Sequence, residues 1–211
     1  MGVDRTVIGD DGRRRCSWGT DPPIYRSYHD DEWGRPVVTD SALLEKLCLE
    51  GFQSGLSWLT ILRKRSAFRT AFAGFDPATV AGFDESDVDR LMLDAAIVRH
   101  RGKIESTINN AARARDVIDE FGSVAEFVVR YLPDPSTRPT VITSEWLADH
   151  ATTPESTALA KDLKRRGWSY VGPTTSYAFM QSVGLVNDHL DACWVLGDAE
   201  PAQRAWQEYR A

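Results

Sequence analysis

Apolar positions along this chain recur at the three-and-four spacing of a helix face, and strict alternation is not sustained anywhere. Thr39 or Asp40 can cap a first clear helix whose stripe is Leu43, Leu44, Leu47 and Cys48, which makes Cys48 a core residue. Glu50 stands seven residues after Leu43, at the edge of the inward face, where a carboxylate needs a partner. Residues 51–55 break the pattern with two glycines. A second helix is predicted over Leu56 to Phe72, with Trp58, Ile61, Leu62 and Phe68 inward and Arg63, Lys64 and Arg65 on a basic face. Pro77 opens a short turn, and Asp84 caps a helix to Leu93. The basic run Arg99 to Lys103 then leads into a long helix that reaches Glu120. Ser123 to Leu132 is a further helical piece and Pro133 to Pro139 a loop. A helix opened by Pro154 ends at Lys164-Arg165-Arg166-Gly167, cations followed by a glycine stop. Tyr170 to Thr175 is a tight turn into a helix over Ser176 to Val183. Repeats are absent, and the predicted fold class is all-α.

Composition narrows the picture. A chain of 211 residues with 42% hydrophobic content can bury a full core, and the pattern divides it into three parts. Residues 1–15 read as a flexible polar extension, 16–195 as one helical domain and 196–211 as a helical tail. The net charge of −6 is not that of a general polyanion binder, so any nucleic-acid contact must rest on local patches. Three cysteines are too few for a disulfide framework. No apolar run approaches the roughly 18 residues of a membrane span, and the N-terminus has no apolar segment of the signal-peptide kind. The expectation is a cytoplasmic monomer without a membrane partner.

Two groups of residues suggest chemistry. His189 and Cys193 are four apart, so on a helix they share a face, and Cys16 and His29 supply a second Cys/His pair near the other end. Spacing alone leaves two readings open. The four could be a Cys₂His₂ zinc set, or they could be scattered, with the cysteines buried as small apolar groups. Trp18, Tyr25, Tyr28 and Trp33 crowd around Asp30, Asp31 and Glu32. Taken singly each ring can belong to the core; as a cluster they suit a flat heteroaromatic base.

Helix, glycine-bearing turn, helix and then an apolar stretch ending in Val-x-x-His is the order found in helix-hairpin-helix DNA glycosylases. The chain resembles one branch of them, the 3-methyladenine DNA glycosylase I family. The resemblance is carried by Cys16-Ser17-Trp18, Asp21-Pro22, Tyr25, Tyr28-His29-Asp30, Glu32-Trp33-Gly34, Leu49-Glu50-Gly51 and Gly55-Leu56-Ser57-Trp58. It continues through Ile97 to Lys103, Phe179-Met180-Gln181, Gly184 to His189, and Cys193. It implies that Cys16, His29, His189 and Cys193 hold a structural zinc that fastens the N- and C-terminal segments together, away from the chemistry. It also implies that Glu50, Tyr25, Tyr28 and Trp58 line a base pocket, with Glu50 in the catalytic role. Leu56 beside Gly55 then stands where the family pushes a residue into the DNA stack.

The partner implied is double-stranded DNA containing alkylated adenine. In that frame the hairpin from Gly167 to Thr175, which contains Gly172 and Thr174, can hold a phosphate on its backbone N–H groups and the N-terminus of the helix that follows. Lys103, Lys164 and Arg165 are candidate auxiliaries. Asn187 stands where most of the wider superfamily keeps an aspartate, and the implied reaction is base excision without a lyase step. A base methylated at N3 is already cationic, so the enzyme need mainly extract, orient and dehydrate it. Two alternatives differ in kind. A catalytically silent zinc module that binds damaged DNA would not need an inward Glu50 among aromatic rings, and a catalytic zinc would need an open coordination position that four protein ligands do not leave.

Overall fold

A computed structural model describes residues 5–210, and the described chain is mostly helical. The stretch expected to be flexible instead begins with an antiparallel hairpin, β1 (Thr6–Ile8) and β2 (Arg14–Cys16), with Thr6 opposite Cys16. What orders this polar segment is a buried cation. The Arg15 guanidinium, 1% exposed, donates to Asp30 at 2.8–3.0 Å and to Asp11 in the hairpin turn at 2.6–2.8 Å. Residues 1–4 of the same predicted extension lie outside the described residues.

Eleven α-helices follow among the described residues. The first three are α1 (Pro23–Asp31), α2 (Asp40–Gln53) and α3 (Trp58–Ala71), and next come α4 (Pro77–Ala81), α5 (Glu85–Leu93) and α6 (Arg101–Phe121). After α7 (Val124–Val128) the chain forms α8 (Ser144–Asp149), α9 (Pro154–Arg165), α10 (Pro173–Ser182) and α11 (Trp194–Arg210). No helix is long and apolar enough to cross a membrane.

Helix α2 is the axis of the molecule. Every residue from Leu43 to Phe52 is buried, because α3, α6, α7 and α10 enclose it on all sides. On a helix wrapped in this way a charge without a partner is costly. Glu45 accordingly receives a two-point contact from Arg69 at 2.8 Å. Helix α3 begins at Trp58, two residues later than the apolar pattern predicts, since Ser57 caps it by accepting from the Thr60 N–H. Gly55 at φ +80° and Leu56 are thereby left in the α2–α3 turn.

Helices α9 and α10 pack against each other across the turn of residues 166–172. Gly167 (φ +85°) stops α9, and Pro173 at the first position of α10 starts that helix three residues before the predicted Ser176. Gly184 (φ +72°) ends the following turn, where a Cβ would stand 2.6 Å from the Arg35 carbonyl carbon. From residue 185 to 193 the backbone is irregular, so His189 and Cys193 do not share a helix face as the spacing suggested. The boundary expected at 195 falls inside α11, whose Trp206 is fully buried in the main core and donates to the Val183 carbonyl at 2.9 Å. A smaller apolar cluster of Cys16, Ile142, Leu190, Cys193, Val195 and Ala199 sits beside it, covered by Trp146, Leu147 and Trp194.

Candidate functional site

A cleft of about 450 Å³ opens between five elements: α1 with its flanking turns, the end of α2, the start of α3, α8 with the residues after it, and α10. Tyr25 and Tyr28 project from α1 one turn apart, and Trp18 and Trp33 flank that helix. Trp58 closes the same wall from the first position of α3. The rings are locked edge to face: Trp18 on Trp33 at 4.9 Å and 82°, Trp18 on Tyr25 at 6.0 Å and 83°. Tyr28 meets Trp58 at 5.4 Å. The Trp58 indole N–H is buried without a protein partner and so remains available to a ligand.

At the floor lies Glu50, from the last turn of α2 and 6% exposed. Among the described residues no hydrogen bond is recorded to its oxygens. Burial pushes its carboxyl up from 4.5 to about 7, and only the nearby Lys46 charge opposes this. Lys46 is itself buried, its ammonium 4.7 Å above the Tyr28 ring and 3.8 Å from Glu32, and burial lowers its pKa. Arg65 grips Glu32 at 2.5 and 2.7 Å. The result is a carboxylate kept poorly solvated and unpaired beneath aromatic faces, which suits a flat cation that brings its own hydrogen-bond donors.

Thr174 was expected at DNA and Gln181 stands in a matching block, but the remaining walls were not legible as part of the base pocket. Thr174, Tyr177, Ala178 and Gln181 line the cleft from one face of α10, a spacing visible in sequence but indistinguishable from a core stripe. Leu147, His150 and Ala151 come from α8 and the residues after it, a region without motif. That segment is held by side chains. The His150 ring stacks on Trp146 at 4.3 Å and donates from Nδ1 to the Trp146 carbonyl at 2.7 Å, while the Arg138 guanidinium lies 5.2 Å from the Trp146 ring.

The residues expected to touch DNA divide into two groups. Leu56 is 40% exposed at the tip of the α2–α3 turn, beside Gly55, where it is free to meet a partner. Lys103 is not: its ammonium is buried and donates to the Phe52 and Ser54 carbonyls at 2.8 and 2.6 Å. It anchors that turn from within and is no surface cation. Lys164 is exposed at the end of α9, and Arg165 pairs with Asp162. Gly172 and Thr174 frame the start of α10, with Thr174 exposed.

Behind the aromatic wall, one nitrogen or sulfur atom from each of Cys16, His29, His189 and Cys193 lies within 4.8 Å of the others, all four residues buried. Cys193 Sγ is 3.5 Å from His29 Nε2 and 3.6 Å from His189 Nδ1, close to the edges of about 3.5–3.8 Å that tetrahedral zinc geometry requires. The outward nitrogens are committed: His29 Nδ1 donates to Asp30 at 2.8 Å and His189 Nε2 to the Trp33 carbonyl at 3.1 Å. The donor set therefore fits a metal ion. It is not remote from the cleft, as the resemblance implied, because His29 packs on Trp18 at 5.1 Å and His189 on Trp33 at 4.7 Å. Gly19 makes this possible, since a Cβ there would stand 2.3 Å from the His29 ring.

Fold and cleft define a helical protein with an aromatic, carboxylate-floored pocket large enough to admit a nucleobase. A family profile described as methyladenine glycosylase matches residues 18–196. DNA-3-methyladenine glycosylase 1 of Escherichia coli is 44% identical over 180 residues, covering 85% of this chain and 95% of that protein. Its counterpart from Haemophilus influenzae is 42% identical, covering 85% and 96%. A crystal structure of 3-methyladenine DNA glycosylase I superposes with a TM-score of 0.77 at 44% identity, covering 85% of this chain and 98% of that one. The Staphylococcus aureus enzyme, solved for 3-methyladenine recognition, has a TM-score of 0.77 at 38% identity, covering 85% and 95%. The chain belongs to the methyladenine glycosylase family.

Proposed function

We propose that this chain excises 3-methyladenine from double-stranded alkylated DNA, the first step of base-excision repair, by flipping the base into the aromatic cleft and hydrolysing its N-glycosidic bond. The observation that carries the reading is Glu50, buried and unpaired between aromatic walls. Its carboxylate attracts the cationic base and accepts from the exocyclic amine, while Trp58, Tyr25 and Tyr28 supply stacking and cation–π attraction of about 0.5–2 kcal/mol per ring. Because the methylated base leaves as a neutral molecule, extraction and orientation do most of the work.

The helix pair α9–α10 acts as the DNA-gripping hairpin of a helix-hairpin-helix fold. Gly172 and Thr174 present the α10 N-terminus to a phosphate, Lys164 and Arg165 lie nearby, and Leu56 enters the space left in the stack. Cys16, His29, His189 and Cys193 would hold a structural zinc, which with four protein ligands has no open position for substrate. Among the described residues no lysine lines the cleft, so the reaction ends at the abasic site, and the protein works as a cytoplasmic monomer.

Release of free 3-methyladenine from alkylated DNA under single-turnover conditions tests this, with Glu50→Gln expected to be slowed by about 100-fold or more. A wild-type rate in that variant removes Glu50 from the site. A borohydride-trapped covalent DNA adduct would refute the absence of a lyase step.

A further inference from the structure

Besides its floor, the cleft carries a second hydrogen-bonding feature that attraction of a cation does not use. Asp188 is 1% exposed, and its Oδ2 accepts from the Tyr177 hydroxyl and from Gln181 Nε2, both at 2.7 Å. Arg138 pairs with the other oxygen. Both 2.7 Å donors sit on the cleft-lining face of α10. With Arg138, Tyr177 and Gln181 all donating to it, this carboxylate acts only as an acceptor, so the orientation of the Gln181 amide is decided by its partner. Nitrogen is committed to Asp188, and carbonyl Oε1 is the group left for the cleft; it accepts no recorded hydrogen bond from the described residues.

Adenine and guanine differ in sign at the purine 6-position, an amine that donates in one and a carbonyl that only accepts in the other. We propose that Gln181, oriented by Asp188, is a specificity-determining residue that admits 3-methyladenine and rejects 3-methylguanine by presenting a carbonyl to the purine 6-position. The two bases carry the same positive charge and similar flat surface, so neither the aromatic walls nor the attraction of opposite charge separates them strongly, and the exocyclic amine has two protons, one for Glu50 and one for Gln181. An oxygen facing an oxygen does, because both are left buried without a proton between them, and sites built around one hydrogen bond discriminate far more steeply than sites built on shape. Asp188 does not touch the base. It is a positioning residue: its Oδ1 pairs with Arg138 and its Oδ2 accepts from Tyr177 and Gln181, so both oxygens already face donors and the amide is held with its nitrogen toward Asp188. The inference rests on the cleft being the base pocket.

Two variants test it, with both bases quantified by chromatography from the same digest of methylated DNA so that the folded fraction cancels in their ratio. Gln181→Leu removes the carbonyl and leaves the contacts among Asp188, Tyr177 and Arg138 in place. It should lower the 3-methyladenine to 3-methylguanine release ratio by about tenfold or more, through slower adenine release. Asp188→Asn supplies an amide that can donate, allowing Gln181 to present its nitrogen, and should lower the same ratio by favouring guanine. If Asp188→Asn does not fold, the Gln181→Leu ratio decides alone. Equal slowing of both bases in Gln181→Leu is what a packing role gives, and it overturns the proposal, as does a wild-type protein that releases both bases alike. Failure of the pocket reading shows elsewhere, as wild-type release of both bases by Glu50→Gln and Trp58→Ala.

Discussion

Glu50 concentrates the chemistry of the cleft in one proton. Its carboxyl titrates near pH 7, so excision measured as kcat/KM should rise with pH through about 7 and level off above it, where the carboxylate is fully charged. Glu50→Gln should be slow and flat over the same range. Stability moves in the opposite direction. A pKa raised from 4.5 to about 7 on folding gives stability that is complete below 4.5 and is lost as pH rises through 7, on the order of 3 kcal/mol. Glu50→Gln is therefore expected to melt several degrees higher than wild type at pH 8, read by thermal unfolding. Glu50 was legible in the sequence as a carboxylate out of place on an apolar helix. Lys46 was not, since on a helix enclosed from every side no periodicity marks which charges face inward.

At the scale of elements, the α2–α3 turn shows why cations are hard to assign from sequence. The partners of Lys103 are two main-chain carbonyls, which leave no trace in residue type. Lys103→Met should slow excision about tenfold or more by loosening the turn that carries Leu56, and speed hydrogen exchange at residues 54–57. The salt dependence of DNA binding should keep its slope, whereas loss of a phosphate contact would reduce that slope by about one. Helix α8 was missed because its six residues bury no side chain fully; Trp146 and Arg138 hold it in place by contacts that only folding brings together. Caps and stops were read more reliably. Asp84, Pro154 and Gly167 all act where local chemistry alone sets the boundary.

For the whole molecule, the Cys/His quartet joins two parts of the chain that lie far apart in the sequence. His189 Nδ1 and Cys16 Sγ are 3.9 Å apart although 173 positions separate them. Purified without chelator, the protein should carry about one zinc, and Cys193→Ser should lower the melting temperature by on the order of 10 °C. Tryptophan fluorescence should change on chelation as well, because His29 and His189 pack on Trp18 and Trp33. Unchanged melting in Cys193→Ser would rule out a stabilising metal. The four ligands were legible as residue types, but the backbone that presents them was not: an irregular stretch after Gly184 does what a helix was expected to do. Trp206 has a bearing on biosynthesis. Its indole fills the main core and satisfies the Val183 carbonyl, yet it is translated after every other helix. On the ribosome, the earlier helices must wait with an indole-sized hole and an orphaned carbonyl until α11 clears the exit tunnel, a defect worth about 3–5 kcal/mol. A nonsense mutation before α11 should accordingly yield a substrate for proteases in place of a shortened enzyme.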